Sequence, residues 1–279
     1  MTGSQPLFDR TARIRNLARA DRASGLFLHD RAISGVQERL EEVNRTFTAP
    51  AVVGPFAEYW RDQLGLGNAP AVADADVLDL APKGHDLIIH GLGLHWANDP
   101  VGQLIQMRRA LRPDGLALAL LFGGESLARL RIALAQAEAD VAGGLSPRVA
   151  PMGEIRELGA LLQRAGCALP VADSDRFEVT YTDPFALMRD LRAMGEANAM
   201  AGRLRRFTRR AVLLRAMALY TEIAAAPRGR VAADVEIVTL TGWAPGEGQQ
   251  QPLRPGSAQA RLADALGAEE RPAGDKVGG

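Results

Sequence analysis

The stretch from Asp86 to Gly124 constrains the fold of this chain more than any other, because two apolar runs flank one loop and one helix. It reads DLIIHGLGLHWANDPVGQLIQMRRALRPDGLALALLFGG. The first run, Leu87–Ile89, ends in a loop that carries glycines, histidines and a tryptophan, and the second, Leu116–Phe122, runs into two glycines. The helix between them stops at the turn LRPDG. Strands that are apolar at every position are typically buried on both faces, which predicts a parallel sheet between two helix layers.

Composition excludes several classes of protein. The 279 residues are 47% hydrophobic and carry 33 basic and 33 acidic side chains, so no net charge draws the chain toward nucleic acid. Cys167 is the only cysteine, which excludes an internal disulfide and a thiolate zinc site and fits a reducing compartment. No apolar run approaches the ~20 residues of a membrane-spanning helix. We therefore expect a cytoplasmic protein without a transmembrane segment.

The alternation of strand and helix patterns predicts an α/β fold with a mostly parallel sheet. Strands are predicted at residues 51–55, 71–73, 87–89, 116–122, 176–181 and 234–243. Helices are predicted at 7–30, 32–43, 56–64, 126–141, 152–165 and, in two or three pieces, 184–226. The domains that follow are an N-terminal helical cap at 1–45, an α/β core at 46–183 and 232–245, a helical lid at 184–231 and a partly disordered tail at 246–279.

The loop after Ile89 is the first candidate site, because ligands of such sheets bind at the carboxyl ends of the strands. Its glycines allow close approach of a ligand to the backbone, and Trp96 offers a flat ring for stacking. The alternative is that His95 and Trp96 pack the start of the following helix, with Asn98 or Asp99 as its cap.

Asp74 is a second candidate, since it follows a predicted strand and its carboxylate could accept a hydrogen bond from an adenine amino group. On composition alone, an exposed loop acid beside Asp76 and Asp79 is the better interpretation.

A dinucleotide-type glycine loop is missing from the first half of the chain. After the first strand there is one glycine, Gly54, followed by Pro55, which has no N–H to donate. Only about twenty residues separate Val52 from Asp74, whereas a full strand–helix–strand unit takes ~30. We therefore predict that at least one strand–helix step is absent.

Other chemistry is weakly indicated. His85, His90 and His95 are five residues apart, and such steps alternate faces on a strand, so we expect no shared metal site. A basic cluster is predicted to be helical and to face either solvent or an acidic partner; it comprises Arg203, Arg205, Arg206, Arg209 and Arg210.

The Asp86–Gly124 unit resembles the methyltransferase type 11 group of class I S-adenosylmethionine-dependent methyltransferases. In that group a D-L-V strand, an L-H-W-x-x-D loop and an L-K/R-P-D-G turn recur. Further motifs resemble one subfamily, the methyltransferase-like assembly factor of respiratory complex I, described as a protein arginine hydroxylase, with its bacterial relatives. These motifs are LFDR, FGGESLARLR, GGLSPRVAPMGEIRELGALLQRAG, YTDPFALMRDLRAMGEANA, TLTGW and PGSA. The resemblance covers residues 7–10 and 72–258.

The resemblance implies a Rossmann-like class I methyltransferase sheet, reduced at its N-terminal half, that binds S-adenosylmethionine. It implies adenine binding by Asp74, with Ala75 as the neighbouring backbone contact. The family's D-L-G-C-G-R-G motif would fall on residues 52–56, where only Gly54 remains. The implied cofactor-binding set is Gly54, Asp74, Ala75, His90, Gly91 and Leu92, and the candidate catalytic residues are His95 and Trp96.

Three functions are compatible with the sequence. The first is an enzyme that methylates or hydroxylates a protein substrate. The second is a pseudoenzyme that binds a respiratory complex I subunit, peripheral to the inner membrane through that partner, with reduced or absent cofactor affinity. The third is a carboxyl methyltransferase of acyl-carrier substrates, for which the basic cluster would suit an acidic carrier protein.

Overall fold

The computed structural model describes residues 5–247 and 249. Residues 5–246 belong to one compact unit. The predicted disordered tail and the PGSA motif lie outside the described residues. The helices are α1 (Arg10–Leu17), α2 (Phe27–Val43), α3 (Ala57–Gln63), α4 (Pro100–Ala110), α5 (Ala128–Ala142), α6 (Ile155–Arg164), α7 (Pro184–Ala193) and α8 (Arg210–Ile223). The strands are β1 (Pro50–Val53), β2 (Ala71–Val72), β3 (His85–His90), β4 (Leu111–Phe122), β5 (Ala168–Tyr181), β6 (Ala225–Ala226) and β7 (Arg230–Trp243).

Within the described residues, one seven-stranded sheet runs in the order β2-β1-β3-β4-β7-β5, and β6 pairs with β7. The pairs β1–β2, β1–β3 and β3–β4 are parallel, while β7 is antiparallel to β4 and β5. This is the predicted α/β fold, a Rossmann-like methyltransferase sheet. One short helix, α3, connects β1 to its direct neighbour β2.

Both faces of the sheet are covered, as the all-apolar strands predicted. Ile88 points into a core formed with α4 and α6, whereas its neighbours Leu87 and Ile89 point into a core formed with α2 and α3. Each face therefore receives alternate residues of β3, and no position of that strand is left for a polar, solvent-facing residue. A third apolar cluster joins α5, α7 and α8 against one end of β7.

The prediction of one helical segment over residues 7–30 is wrong. Between Leu17 and Phe27 the chain leaves the helix and packs against the end of α7. Gly25 packs so closely on this helix end that a Cβ atom would lie 2.6 Å from the carbonyl carbon of Ala193. The Asp21 N–H donates to the same carbonyl oxygen at 2.8 Å. Helix α1 therefore stops at Leu17, and residues 27–30 belong to α2.

The prediction of a helix for the basic cluster is wrong for four of its five arginines, since helix α8 begins only at Arg210. The backbone before it is held by other segments. Asn198 donates to the Pro147 carbonyl at 2.8 Å, and Arg203 donates to Asp9 at 2.9 Å. Met200 forms an antiparallel bridge with Phe8. These contacts fix residues 194–209 as a non-helical segment, the lid loop.

Four strands are longer than predicted. β3, β4, β5 and β7 begin 2, 5, 8 and 4 residues before the predicted starts. β5 and β7 pair along nearly their whole lengths, which stabilises extended backbone where the side-chain pattern alone is not strand-like.

Within residues 5–247, none of the helices combines the length and the apolar character needed to cross a bilayer.

Candidate functional site

The carboxyl ends of β1 and β3 contact each other through glycine backbone. Gly91 donates its N–H to the Val53 carbonyl at 2.8 Å. Gly54 has φ of 145°, and a Cβ atom there would lie 2.8 Å from the Gly91 carbonyl oxygen. A Cβ atom on Gly91 would lie 2.5 Å from the indole of Trp60. Both glycines are thus required by contacts of the protein with itself.

Asp74 lies beside this contact, and its carboxylate is engaged. Gln103, on α4, donates from its side-chain nitrogen to Asp74 Oδ1 at 3.2 Å and to the Ala75 carbonyl at 3.0 Å. The Asp74 side chain is only 7% exposed. The interpretation of Asp74 as an exposed loop acid is therefore wrong.

His90 completes this network from β3. Its Nε2 lies 3.0 Å from Gln103 Oε1 and 3.8 Å from Asp74 Oδ1. The Gln103 amide nitrogen donates to Asp74 and to the Ala75 carbonyl, so the group that faces His90 is the amide oxygen. An amide oxygen can only accept a hydrogen bond, and the proton of His90 is therefore on Nε2. Burial lowers the pKa of His90 and outweighs the opposing effects of Asp74 and Gln103, so the ring is neutral at pH 7.

The N-terminal segment covers the outer side of the Asp74 loop. Arg10 donates to the Asp74 carbonyl at 2.5 Å and pairs with Asp76 at 3.2 Å. Asn98 exchanges two hydrogen bonds with the backbone of Phe8, at 2.9 and 3.1 Å. Asp99, rather than Asn98, caps α4, since its side chain accepts from the Gly102 N–H at 2.8 Å.

His95 and Trp96 face a different group, the carboxylate of Glu196. Trp96 Nε1 donates to Glu196 Oε2 at 2.6 Å, and His95 Nε2 lies 3.1 Å from the same oxygen. Arg13 Nη2 reaches Glu196 Oε1 at 3.0 Å, and its guanidinium lies 5.1 Å from the centre of the Trp96 ring. Three segments distant in sequence, namely α1, the β3–α4 loop and the lid loop, therefore meet at one buried charge.

Glu196 is ionised in this cluster. Burial raises the pKa of its carboxyl, but the charges of Arg13 and His95 and the hydrogen bonds from His95 and Trp96 outweigh burial and hold the pKa well below the usual range. A buried carboxylate of this kind is stable only with such donors around it. The cluster therefore fastens the lid loop to α1.

A cavity of about 230 Å³, the lid cavity, lies between the ends of β4 and β7, helices α5 and α7 and the lid loop. Its walls are mainly leucine, methionine and aromatic side chains, and Trp96 and Glu196 line one side. None of the six predicted cofactor-binding residues lines it. Within the described residues, no three His, Cys, Asp or Glu side chains gather as a metal site would require.

The structure thus separates the predicted site residues into two groups. Asp74, Ala75 and His90 meet through Gln103, and Gly54 and Gly91 pack beside them with buried Leu92. His95 and Trp96 turn toward Glu196 and the lid cavity. Sequence reasoning missed Gln103, Arg13 and Glu196, because a helical glutamine and an ion pair 183 residues apart leave no local pattern.

No family model matches the chain. A curated protein of Danio rerio, "Arginine-hydroxylase NDUFAF5, mitochondrial", is 31% identical over 289 residues, which cover 92% of this chain and 89% of the zebrafish protein. The chain belongs to the arginine-hydroxylase NDUFAF5 family. The protein of the same name from Dictyostelium discoideum is 39% identical over 183 residues, and there the match spans only 42% of the relative.

The NDUFAF5-family chain is also similar to other methyltransferase-fold proteins. The malonyl-[acyl-carrier protein] O-methyltransferase of Laribacter hongkongensis is 36% identical over 182 residues, or 64% of this chain and 59% of that protein. A solved phosphoethanolamine N-methyltransferase 2 of Haemonchus contortus, in complex with S-adenosyl-L-methionine, has a TM-score of 0.39 and 10% identity, and the match covers 74% of this chain and 51% of that one.

The residues of this NDUFAF5-family chain do not fit S-adenosylmethionine as they are arranged. A nucleoside at the end of β1 requires free backbone donors and an accepting carboxylate. The Gly54 N–H already donates to Val72 at 3.0 Å, and Pro55 has none. Oδ1 of the Asp74 carboxylate already accepts from Gln103 and lies 3.8 Å from His90 Nε2.

Proposed function

We propose that this chain is a non-catalytic, methyltransferase-fold assembly factor that binds a protein partner, a subunit of respiratory complex I, without using S-adenosylmethionine. The observation that carries the proposal is the buried contact of Asp74 with Gln103 and His90. One oxygen of the carboxylate that would receive an adenine, Oδ1, already accepts a hydrogen bond from the protein itself. Opening it would leave buried polar groups without partners, which costs about 1–3 kcal/mol each.

A partner surface is supported by the part of the lid loop that precedes α8. The Phe207 side chain is completely exposed, at 101%, and the Arg205 side chain is 71% exposed. Arg206 and Arg209 are exposed beside them. Aromatic and arginine side chains are the residues that most often carry binding energy at protein interfaces. We refer to residues 205–210, the end of the lid loop and the first residue of α8, as the arginine segment.

Calorimetric titration with S-adenosylmethionine tests the cofactor half of the proposal. We expect no binding up to millimolar concentrations for the native chain, for Asp74→Ala and for the exposed neighbour Asp76→Ala. Low-micromolar binding that Asp74→Ala abolishes and Asp76→Ala retains would reject the proposal and make the chain a cofactor-dependent enzyme.

Affinity capture with the tagged full chain tests the partner half. We expect complex I subunits to be enriched, and enrichment to fall when Arg206, Arg209 and Arg210 are changed to Gln. A control that removes the same charge elsewhere, at exposed Arg109, Arg112 and Arg156, should capture normally. The assembly function is wrong if no complex I subunit is enriched. An oxygen atom added to an arginine of the captured partner, seen by mass spectrometry, would overturn the non-catalytic assignment.

A second candidate, a carboxyl methyltransferase of acyl-carrier substrates, is favoured by the 36% identity to the Laribacter protein and by the exposed arginine segment. It requires the methyl donor, so it shares the calorimetric test above. Methyl transfer from labelled S-adenosylmethionine to a malonylated carrier protein would establish it.

A further inference from the structure

The lid cavity is large enough for a ligand. An engineered cavity of roughly 150 Å³ already binds benzene, and this one measures about 230 Å³. The apolar walls come from several elements, including Leu130 on α5, Met188 on α7, Phe122 on β4 and Val235 on β7. Apolar concave sites with few polar groups are typical small-molecule sites.

Charged side chains in the wall are, with one exception, neutralised by partners in the protein. The pairs are Arg148 with Glu138 at 2.7 Å, Asp234 with Arg129 at 2.6 Å and Glu196 with Arg13 at 3.0 Å. The cavity interior therefore presents no net charge to a ligand.

Uncharged polar side chains in the wall are also engaged. Tyr181 donates to Asp190 at 2.8 Å, Ser126 to the Glu236 carbonyl at 3.1 Å, and Asn198 to the Pro147 carbonyl. Thr208 accepts from Arg148 at 2.7 Å. A polar ligand group placed inside would lose its bonds to water and find few replacements, and each polar group left unpaired costs about 1–3 kcal/mol. The buried part of a ligand must be apolar.

Arg192 is the exception among these side chains. It lines the cavity but is exposed, and within the described residues no hydrogen bond or ion pair holds its guanidinium. A cation at the edge of an apolar cavity favours a ligand with an anionic head and an apolar body, since only the head stays near water.

We propose that the lid cavity binds an amphipathic carboxylate, whose aliphatic or aromatic body fills the cavity while its carboxylate pairs with Arg192. This site is separate from the Asp74 network, so the inference does not depend on whether the chain uses S-adenosylmethionine or on which protein it assists.

Decanoate and decanol are suitable probes for the full chain, with binding followed by calorimetry. Decanoate should bind about two- to fivefold more tightly than decanol, the range expected for one solvent-accessible ion pair. Arg192→Gln should remove this difference without abolishing decanol binding. Arg189→Gln, an exposed position on the same helix that does not line the cavity, should retain it. Equal affinity for both probes in the native chain would reject the role of Arg192.

The location is tested separately. Met188→Trp should fill the cavity and abolish binding of both probes, whereas Met188→Leu should bind normally. Unchanged binding by a folded Met188→Trp variant, judged by circular dichroism, would overturn the proposal. If that variant does not fold, fluorescence quenching by bromodecanoate tests the location instead. Bound bromodecanoate should quench Trp96, which lines the cavity and is one of three tryptophans. Trp96→Phe should remove that quenching. Quenching that is unaffected by Trp96→Phe would place the ligand elsewhere.

Discussion

Trp96 and Glu196 are 100 residues apart in sequence and are joined by a 2.6 Å hydrogen bond from the indole Nε1 to a buried carboxylate oxygen. Through it the loop after β3 is fastened to the lid loop, and Arg13 adds α1 to the same point. The His–Trp pair that resembled part of a substrate site therefore has a structural role that is evident in the geometry.

Glu196→Gln should destabilise the protein strongly. The substitution keeps the shape of the side chain but leaves Arg13 as a buried cation without a counter-charge. Breaking one partner of a buried ion pair costs about 3–5 kcal/mol. Urea denaturation should show this loss, whereas Glu178→Gln, in an exposed pair with Arg129, should cost less than about 1 kcal/mol. A similar small effect in both variants would mean that Glu196 does not hold the lid loop.

Gly91→Ala should also destabilise the protein, because a Cβ atom would lie 2.5 Å from the Trp60 ring. Overpacking of this kind costs about 1–3 kcal/mol. Gly144→Ala is the matched control, since no atom lies within 4 Å of its Cβ position. If thermal denaturation gives the same midpoint for both variants, the close approach of β3 to Trp60 is not a constraint.

Gln103→Leu should cost about 1–3 kcal/mol by leaving Asp74 and His90 without their shared partner. Gln136→Leu, at an exposed helix position bound only to Asp140, should be nearly neutral in the same denaturation experiment. Equal stability of the two variants would show that the Asp74 network is easily opened, which would weaken the non-catalytic proposal.

His29 should make stability depend on pH. Burial lowers its pKa from 6.5 to about 4, and the neutral ring accepts a 2.9 Å hydrogen bond from Trp60. Because the unfolded chain binds the proton more tightly, this contribution is complete above pH 6.5 and is lost as the pH falls toward 4. The full difference is of the order of 3 kcal/mol.

His29→Asn, which keeps an acceptor but does not titrate, should flatten that part of the stability profile. The measurement is the free energy of unfolding between pH 7 and pH 4.5 for both proteins. The buried His90, whose pKa is also lowered, contributes in the same direction in both, so only the difference between the proteins reports on His29. Parallel profiles would contradict the assignment.

Local pattern was enough for the centre of the sheet. The runs Leu87–Ile89 and Leu116–Phe122 predicted buried strands, and both were confirmed because a strand covered on two faces has no solvent-facing position. Asp99 was one of two residues predicted to cap α4. This prediction also used local pattern, because a cap depends on residues only three apart. The family, too, was evident from motifs along the chain.

Local sequence pattern gave wrong predictions where contacts with distant segments determine the structure. The arginines before α8 have good helix propensity, yet residues 194–209 bind Phe8, Asp9 and Pro147 and do not form a helix. Likewise the composition around Asp74 indicated an exposed acid, whereas in the structure Gln103 and His90, from two other elements, contact its side chain.

The sequence by itself therefore determined the strands at the centre of the sheet, the α/β class and the family, because each depends on neighbouring residues or on whole motifs. Only the tertiary structure decided which side chains meet at the candidate site. The free energy of a buried carboxylate such as Asp74 or Glu196 depends on the donors that surround it, and here those donors come from other elements of the chain.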